Sequence, residues 1–189
     1  GSVDCVVTAS QAGNGNFNAA VDFAQSFAID KAKATVTVNG YSGVYDGAAH
    51  GATGTATGIG GADLSALLSL GSSFTNVPGG TANWSFAGDA NYESDNGSVQ
   101  IVITKANQTT AVALTAPASM TYGQAAVTLT ATGGNGTGAY SYSIGTSNGC
   151  SLAGDKLSVV NASSTCDVTA LRLGDNNYFD SAPTAAATV

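Results

Sequence analysis

Short runs of alternating small, apolar and hydroxyl residues, punctuated by glycine, asparagine and proline, set the pattern of this chain. Ala34-Thr35-Val36-Thr37-Val38 alternates and then meets Asn39-Gly40, a turn pair. Residues 52–58 alternate small and β-branched side chains, and 73–77 read as a strand stopped by Pro78-Gly79-Gly80. Between Thr81 and Ala87, Trp84 and Phe86 fall on one face; Val99, Ile101 and Ile103 then alternate along a closing strand. A period of two is the mark of a half-buried strand. Further strands are predicted near 108–114, 126–132, 139–145, 156–160, 165–171 and 184–189, with one helix-like piece, ADLSALLSL, at 62–70. Six or seven short strands in each stretch of about 75–85 residues point to an all-β chain built of Ig-like β-sandwich modules.

A short motif occurs three times: GNGNF at 13–17, GDANY at 88–92 and GDNNY at 174–178, with starts 75 and 86 residues apart. Gly-Asx-x-Asn is turn chemistry, because Asx side chains bond nearby amides and glycine and asparagine tolerate positive φ. The asparagines Asn16, Asn91 and Asn177 and the aromatics Phe17, Tyr92 and Tyr178 are read as a core turn motif, each ring plugging the core beneath its turn. The functional alternative for those rings is a sugar-stacking platform. The first and last copies agree further: CVVTA at 5–9 aligns with CDVTA at 166–170 at a constant offset of 161. Residues 1–28 are thus a second copy of residues 162–189.

The joints repeat as well. FAIDKAKATVTV at 27–38 matches IVITKANQTTAV at 101–112, and three of the four lysines, Lys31, Lys33 and Lys105, sit there. Each joint is read as a last strand, a short Lys-Ala hinge and the first strand of the next module. The expected organisation is a C-terminal tail of a truncated Ig-like repeat at 1–31, a complete repeat at 32–105 and a second at 106–189. With its abrupt start at Gly1-Ser2, the chain looks cut from something longer. A module this small buries only about 60% of its unfolded surface, so neighbours and disulfides matter to it.

Composition narrows the chemistry. Gly, Ala, Thr and Ser supply 100 of the 189 residues, and only 9% are charged, against about 25% in an ordinary globular protein. Five basic residues and a net charge of −7 exclude a basic footprint for nucleic acid. No apolar run approaches the roughly 18–20 residues of a membrane span. Cys150 and Cys166 flank a hairpin expected to turn at Gly154-Asp155. A bridge between them would close a loop of about 15 residues, worth about 3 kcal/mol in the chain-entropy picture; the alternative is two buried thiols. The acidic, Thr/Asn-rich composition has a secreted look and favours the bridge. Cys5 is then odd, unpaired or inter-chain, with its expected partner in the missing front half of the first repeat.

From Tyr45 to Tyr92, YDGAAHGATGTATGIGGADLSALLSLGSSFTNVPGGTANWSFAGDANY, with its Lys-Ala flanks, resembles the bacterial "mostly-β, Gly-rich" (MBG) repeat. The last repeat, with Thr121-Tyr122-Gly123, the Cys150 and Cys166 hairpin and Gly174 to Tyr178, is similar to a bacterial Ig-like repeat, and the tail at 1–31 looks like the end of another. The resemblance implies tandem modules within a large secreted or surface-anchored bacterial protein of the adhesin kind, an extracellular stalk or fibre role, and no catalytic residues to carry over. The partners it implies are neighbouring repeats of the same protein.

Few residues invite other chemistry. His50 lies four residues after Asp46 with no hydrolase motif beside it and is read as a turn residue. Asp89, Glu93, Asp95, Asp175 and Asp180 cluster in loops and are weak calcium candidates, although their spacing is not that of an EF-hand; no other cofactor or metal is expected. The joint lysines are read as solvated or edge-capping rather than as partners in a Lys–Asn isopeptide bond. GGNGTG at 133–138 opens no helix and is a hairpin loop, not a phosphate loop. Three functions compete: a non-catalytic stalk; a self-assembling fibre subunit whose N-terminal tail pairs with another copy of the chain by β-strand addition; and a carbohydrate-binding module. An enzyme is not expected.

Overall fold

The computed structural model describes residues 3–162 and 164–189, so the reading of Gly1-Ser2 lies outside the described residues. The chain is almost entirely β. In order its strands are β1 (Val3–Ala9), β2 (Phe23–Ile29), β3 (Thr35–Asn39), β4 (Tyr41–Val44), β5 (Thr53–Thr57), β6 (Leu68–Ser69), β7 (Gly79–Phe86) and β8 (Asp95–Thr104). They continue with β9 (Val112–Thr115), β10 (Val127–Thr128), β11 (Thr130–Gly133), β12 (Tyr140–Ser143), β13 (Cys150–Ala153), β14 (Lys156–Val159), β15 (Asp167–Arg172) and β16 (Ala187–Thr188). They form several small sheets and gather into two compact units. One unit holds the chain through Gly40 with Gly51–Ser73 and Thr81–Gln100; the other holds Tyr41–His50, Phe74–Gly80 and Ile101–Val189.

In the first unit β1 and β2 form an antiparallel hairpin in which Cys5 faces Phe27 and Val7 faces Gln25. Every residue of β2 is exposed. Elsewhere alternation does what the sequence predicts: β3 pairs antiparallel with β5, setting Val36 opposite the buried Ala56. On β7, Ala82 and Phe86 are buried and Trp84 half-buried on one face, and Leu68 of β6 sits opposite Phe86. Gly97 lies under the indole of Trp84; a Cβ there would come within 2.6 Å of the ring. The segment at 62–70 is not helical. A single 3₁₀ turn at Ser65–Leu67 is all that forms, with Asp63 Oδ1 accepting from Ser65 N–H, before Leu68 joins β7. A helical nucleus needs more residues than the glycines before it and the strand after it leave free.

In the second unit β4 runs parallel to β8, Tyr41 beside Ile101 and Val44 beside Thr104, with Ile101 and Ile103 buried. The core gathers Leu129, Cys150, Leu157, Cys166 and Val168, with Leu114, Met120, Tyr142, Ile144 and Val189 packed against it. Cys150 and Cys166 form a disulfide, their Cα atoms 5.8 Å apart, as bridged cysteines require. The β13–β14 hairpin turns at Gly154-Asp155, as the sequence predicts, with Ala153 opposite Lys156 and Gly154 in the left-handed region.

Other expected strands are shortened, each for a local reason. At 73–77 only an isolated bridge between Phe74 and His50 forms, because Gly79 N–H turns back onto Asn76 and Pro78 has no N–H to give. The strand expected at 108–114 starts at Val112, since the Thr109 and Thr110 amides are taken by Asn135 Oδ1. The strand at 126–132 breaks at Leu129 and passes from β14 to β9, its halves being β10 and β11. Near the C-terminus only Ala187–Thr188 pairs as a strand, after Pro183.

Candidate functional site

The three Gly-Asx motifs fold alike. In each, the Asx side-chain oxygen accepts from the amides two and three residues on: Asn14 from Asn16 and Phe17, Asp89 from Asn91 and Tyr92, Asp175 from Asn177 and Tyr178, at 2.7–3.1 Å. The Asx amide donates to the carbonyl of the aromatic residue in all three. The preceding glycine is required by space: a Cβ on Gly13, Gly88 or Gly174 would sit 2.5–2.6 Å from the carbonyl oxygen of that aromatic residue. Gly174 is not in the left-handed region, so close approach alone explains it.

Two of these turns are clasped by a Lys-Ala pair. Ala32 N–H donates to Asn91 O, Glu93 N–H donates to Ala32 O, and Lys31 Nζ donates to Asp89 O. In the second unit Ala106 N–H donates to Asn177 O, Phe179 N–H donates to Ala106 O, and Lys105 Nζ donates to Asp175 O. Both alanines make parallel bridges, Ala32 with Tyr92 and Ala106 with Tyr178. The Lys-Ala pairs expected as hinges therefore carry main-chain hydrogen bonds at isolated bridges, and Lys31 and Lys105 cap turn carbonyls. Lys33 instead borders a cleft with Glu93 and Asp95.

The second clasp is the more elaborate. Asn177 Oδ1 accepts from Val77 N–H at 3.0 Å, Asn177 Nδ2 donates to Asn76 Oδ1 at 2.9 Å, and Asn176 Nδ2 donates to Val77 O at 2.8 Å. Tyr178 meets Tyr45 edge-on, ring centroids 5.3 Å apart. Asp175 Oδ2 accepts from Thr137 N–H at 2.7 Å and from its hydroxyl at 3.0 Å. The amides of Thr137 and Asn177 hold the Asp175 carboxyl down at about 2, against a partial opposing effect of burial.

Sequence reasoning missed Gln108, which organises this region. Its Nε2 donates to the carbonyls of Arg172, Leu173 and Phe179, and its Oε1 accepts from Asn135 and Gly136 N–H. Arg172 likewise donates to the Gly133 and Gly138 carbonyls and lies over the Tyr140 ring. The signal was faint: a lone Gln three residues after a Lys, and the chain's one arginine.

Other expected sites resolve differently. Tyr92 is half-buried and its hydroxyl accepts from Ile59 N–H, and Tyr178 is half-buried against Tyr45. Phe17 stands 72% exposed, which corrects the expectation that it plugs a core: among the described residues the hairpin around it has no second layer. The calcium candidates do not converge. Among the described residues no three His, Cys, Asp or Glu side chains are placed to hold a metal ion. Asp89 Oδ1 and Asp175 Oδ1 take turn amides, Asp175 Oδ2 takes Thr137, Asp95 caps Asn96 N–H and Asp180 takes Gly174 N–H; Glu93 borders the Lys33 cleft. His50 stacks on Tyr41, ring centroids 3.9 Å apart, with Nε2 2.9 Å from Asp46 Oδ1 and 3.3 Å from Tyr41 Oη. Cys5 carries no disulfide. No family model, curated protein or solved structure matches the chain.

Proposed function

We propose that the chain is a series of non-catalytic, Ig-like β-sandwich modules, at 32–105 and 106–189 with a partial module at 1–31, from the stalk of a secreted or cell-surface bacterial protein of the adhesin kind. The observation that carries this reading is the repeated clasp. Where one module would end and the next begin, the Lys-Ala pair is tied to the Asx turn of the module it enters. At Ala106 the tie is reinforced by loop 74–80 of the preceding module. A module whose entry is tied to its last turn in this way resists being pulled open, which is what a spacer under load needs. The disulfide suits an oxidising exterior, and the low charge and uncrowded hydroxyl faces suit an exposed rod.

The test is mechanical. In single-molecule pulling on the chain, in a Cys5→Ser background, the second unit is expected to unfold at a lower force when Asn76 and Asn177 are both changed to Ala. Equal forces in the two proteins would remove the basis of the proposal. A second reading, a fibre subunit that pairs through its N-terminal tail, draws on one observation: the β1–β2 hairpin is exposed. Light scattering separates the two, since a concentration-dependent polymer supports the fibre and a monomer at millimolar concentration the stalk.

A further inference from the structure

The β1–β2 hairpin presents a face with nothing on it. Cys5, Val7 and Ala9 share one side with Phe23, Gln25, Phe27 and Ile29. Val7 is 60% exposed, Phe23 68%, Phe27 53% and Ile29 55%, and none of the seven carries a charge. A two-stranded hairpin is marginal in water unless its apolar side is covered. Elsewhere in the chain the same positions are covered. Cys166, Val168 and Ala170 correspond to Cys5, Val7 and Ala9 at the offset of 161, and all three are buried. On the second strand the offset of 161 sets Phe27 against the exposed Thr188, but in the aligned joints Phe27 and Ile29 correspond to Ile101 and Ile103, and both of those are buried.

The turn at 13–17 carries an independent mark of the same kind. In the two clasped turns, the Asn carbonyl and the amide two residues on bind the main chain of an alanine. Their counterparts, Asn16 O and Asn18 N–H, have no main-chain partner among the described residues. An apolar face and a vacant main-chain edge thus lie on one hairpin, and within this chain residues 105–161 show what fills both. Lys105-Ala106 occupies the main-chain edge of turn 174–178, Leu129, Leu157 and Cys150 cover Val168, and Cys150 bonds Cys166.

We propose that the β1–β2 hairpin is a docking surface for a β-segment of the chemistry of residues 105–161: a Lys-Ala strand for the Asn16–Asn18 edge, uncharged leucines for the Val7 face, and a cysteine that bonds Cys5. The bond forms when both thiols give up their protons and two electrons to a small-molecule disulfide, which leaves as two thiols. A second folded copy cannot supply this segment, because its own residues 105–161 already cover its own β15. The inference rests on the modular reading above, but its test leaves the joint at Ala106 untouched, so either can fail alone.

The test extends the full chain by a second copy of residues 105–161 joined directly to residue 1, as the offset of 161 dictates. After oxidation with glutathione disulfide, peptide mapping is expected to find Cys5 bonded to the added counterpart of Cys150, with the native Cys150–Cys166 pair intact. Hydrogen exchange at Val7 and Phe27 is expected to slow by about 100-fold. A second form, with serine for the cysteine of the added copy, is expected to keep that protection while Cys5 stays free, which makes the result independent of mispaired thiols. Fast exchange at Val7 and Phe27 in both forms, with the native disulfide present, would overturn the proposal. So would a Cys5-linked dimer of the unextended chain with those amides protected, which would assign the face to a second copy.

Discussion

Asp175 shows how much one side chain can hold. Its two oxygens take four donors from two segments, and its carboxyl is held at about 2, below its ordinary 3.8, chiefly by the Thr137 and Asn177 amides. Because the folded value lies below the unfolded one, the stabilisation is present above pH 4 and fades as the pH falls toward 2. Urea midpoints of the second unit are expected to drop across that window and to lose most of the dependence in Asp175→Asn. Gln108→Ala removes donors to three carbonyls and an acceptor for two amides; it is expected to cost about 2 kcal/mol in urea unfolding. Gly174→Ala is expected to destabilise by about 1–3 kcal/mol through its close approach to the backbone of Tyr178, Phe179 and Asp180. At this scale the Asx turns were legible, because Gly-Asx-x-Asn carries its own bonds. Gln108 was not, because its partners lie 27 to 71 residues away and no local pattern announces a long-range amide.

Among the elements, alternation fixed strands wherever one face is buried, as on β7 and β8, and misled where local bonds compete. Thr109 and Thr110 look like strand residues, yet Asn135 takes their amides. Parity also mattered. Twelve positions separate Phe17 from Ile29 but eleven separate Tyr92 from Ile103. The extra residue keeps Phe27 and Ile29 on the side of Cys5; without it every side chain of β2 would change faces. The β13–β14 hairpin contributes Cys150 and Leu157 to the core and is tied to the start of β15 through Cys166. Reduction is expected to lower the stability of the second unit by about 3 kcal/mol, read as a shift in denaturant midpoint between oxidised and reduced protein. The Lys-Ala pairs were found in the sequence by their repetition, but read as hinges; their bonded partners lie a whole module further along, where a local reading does not reach.

For the molecule as a whole, that distance governs when each unit can close. Lys105 is bonded to Asp175, 70 residues later, and Lys31 to Asp89, 58 residues later. The first residues of each clasped segment therefore wait for nearly the last. As the chain emerges from a ribosome or a secretion channel, the second clasp cannot form until Phe179 has appeared. Until then Ala106, just after β8, lacks the main-chain partners that close the turn over it. Non-local pairing of this kind is slow to form, and it gives each segment a fixed moment of completion: the clasped turn acts as a latch that the growing chain closes behind itself, from the end backwards.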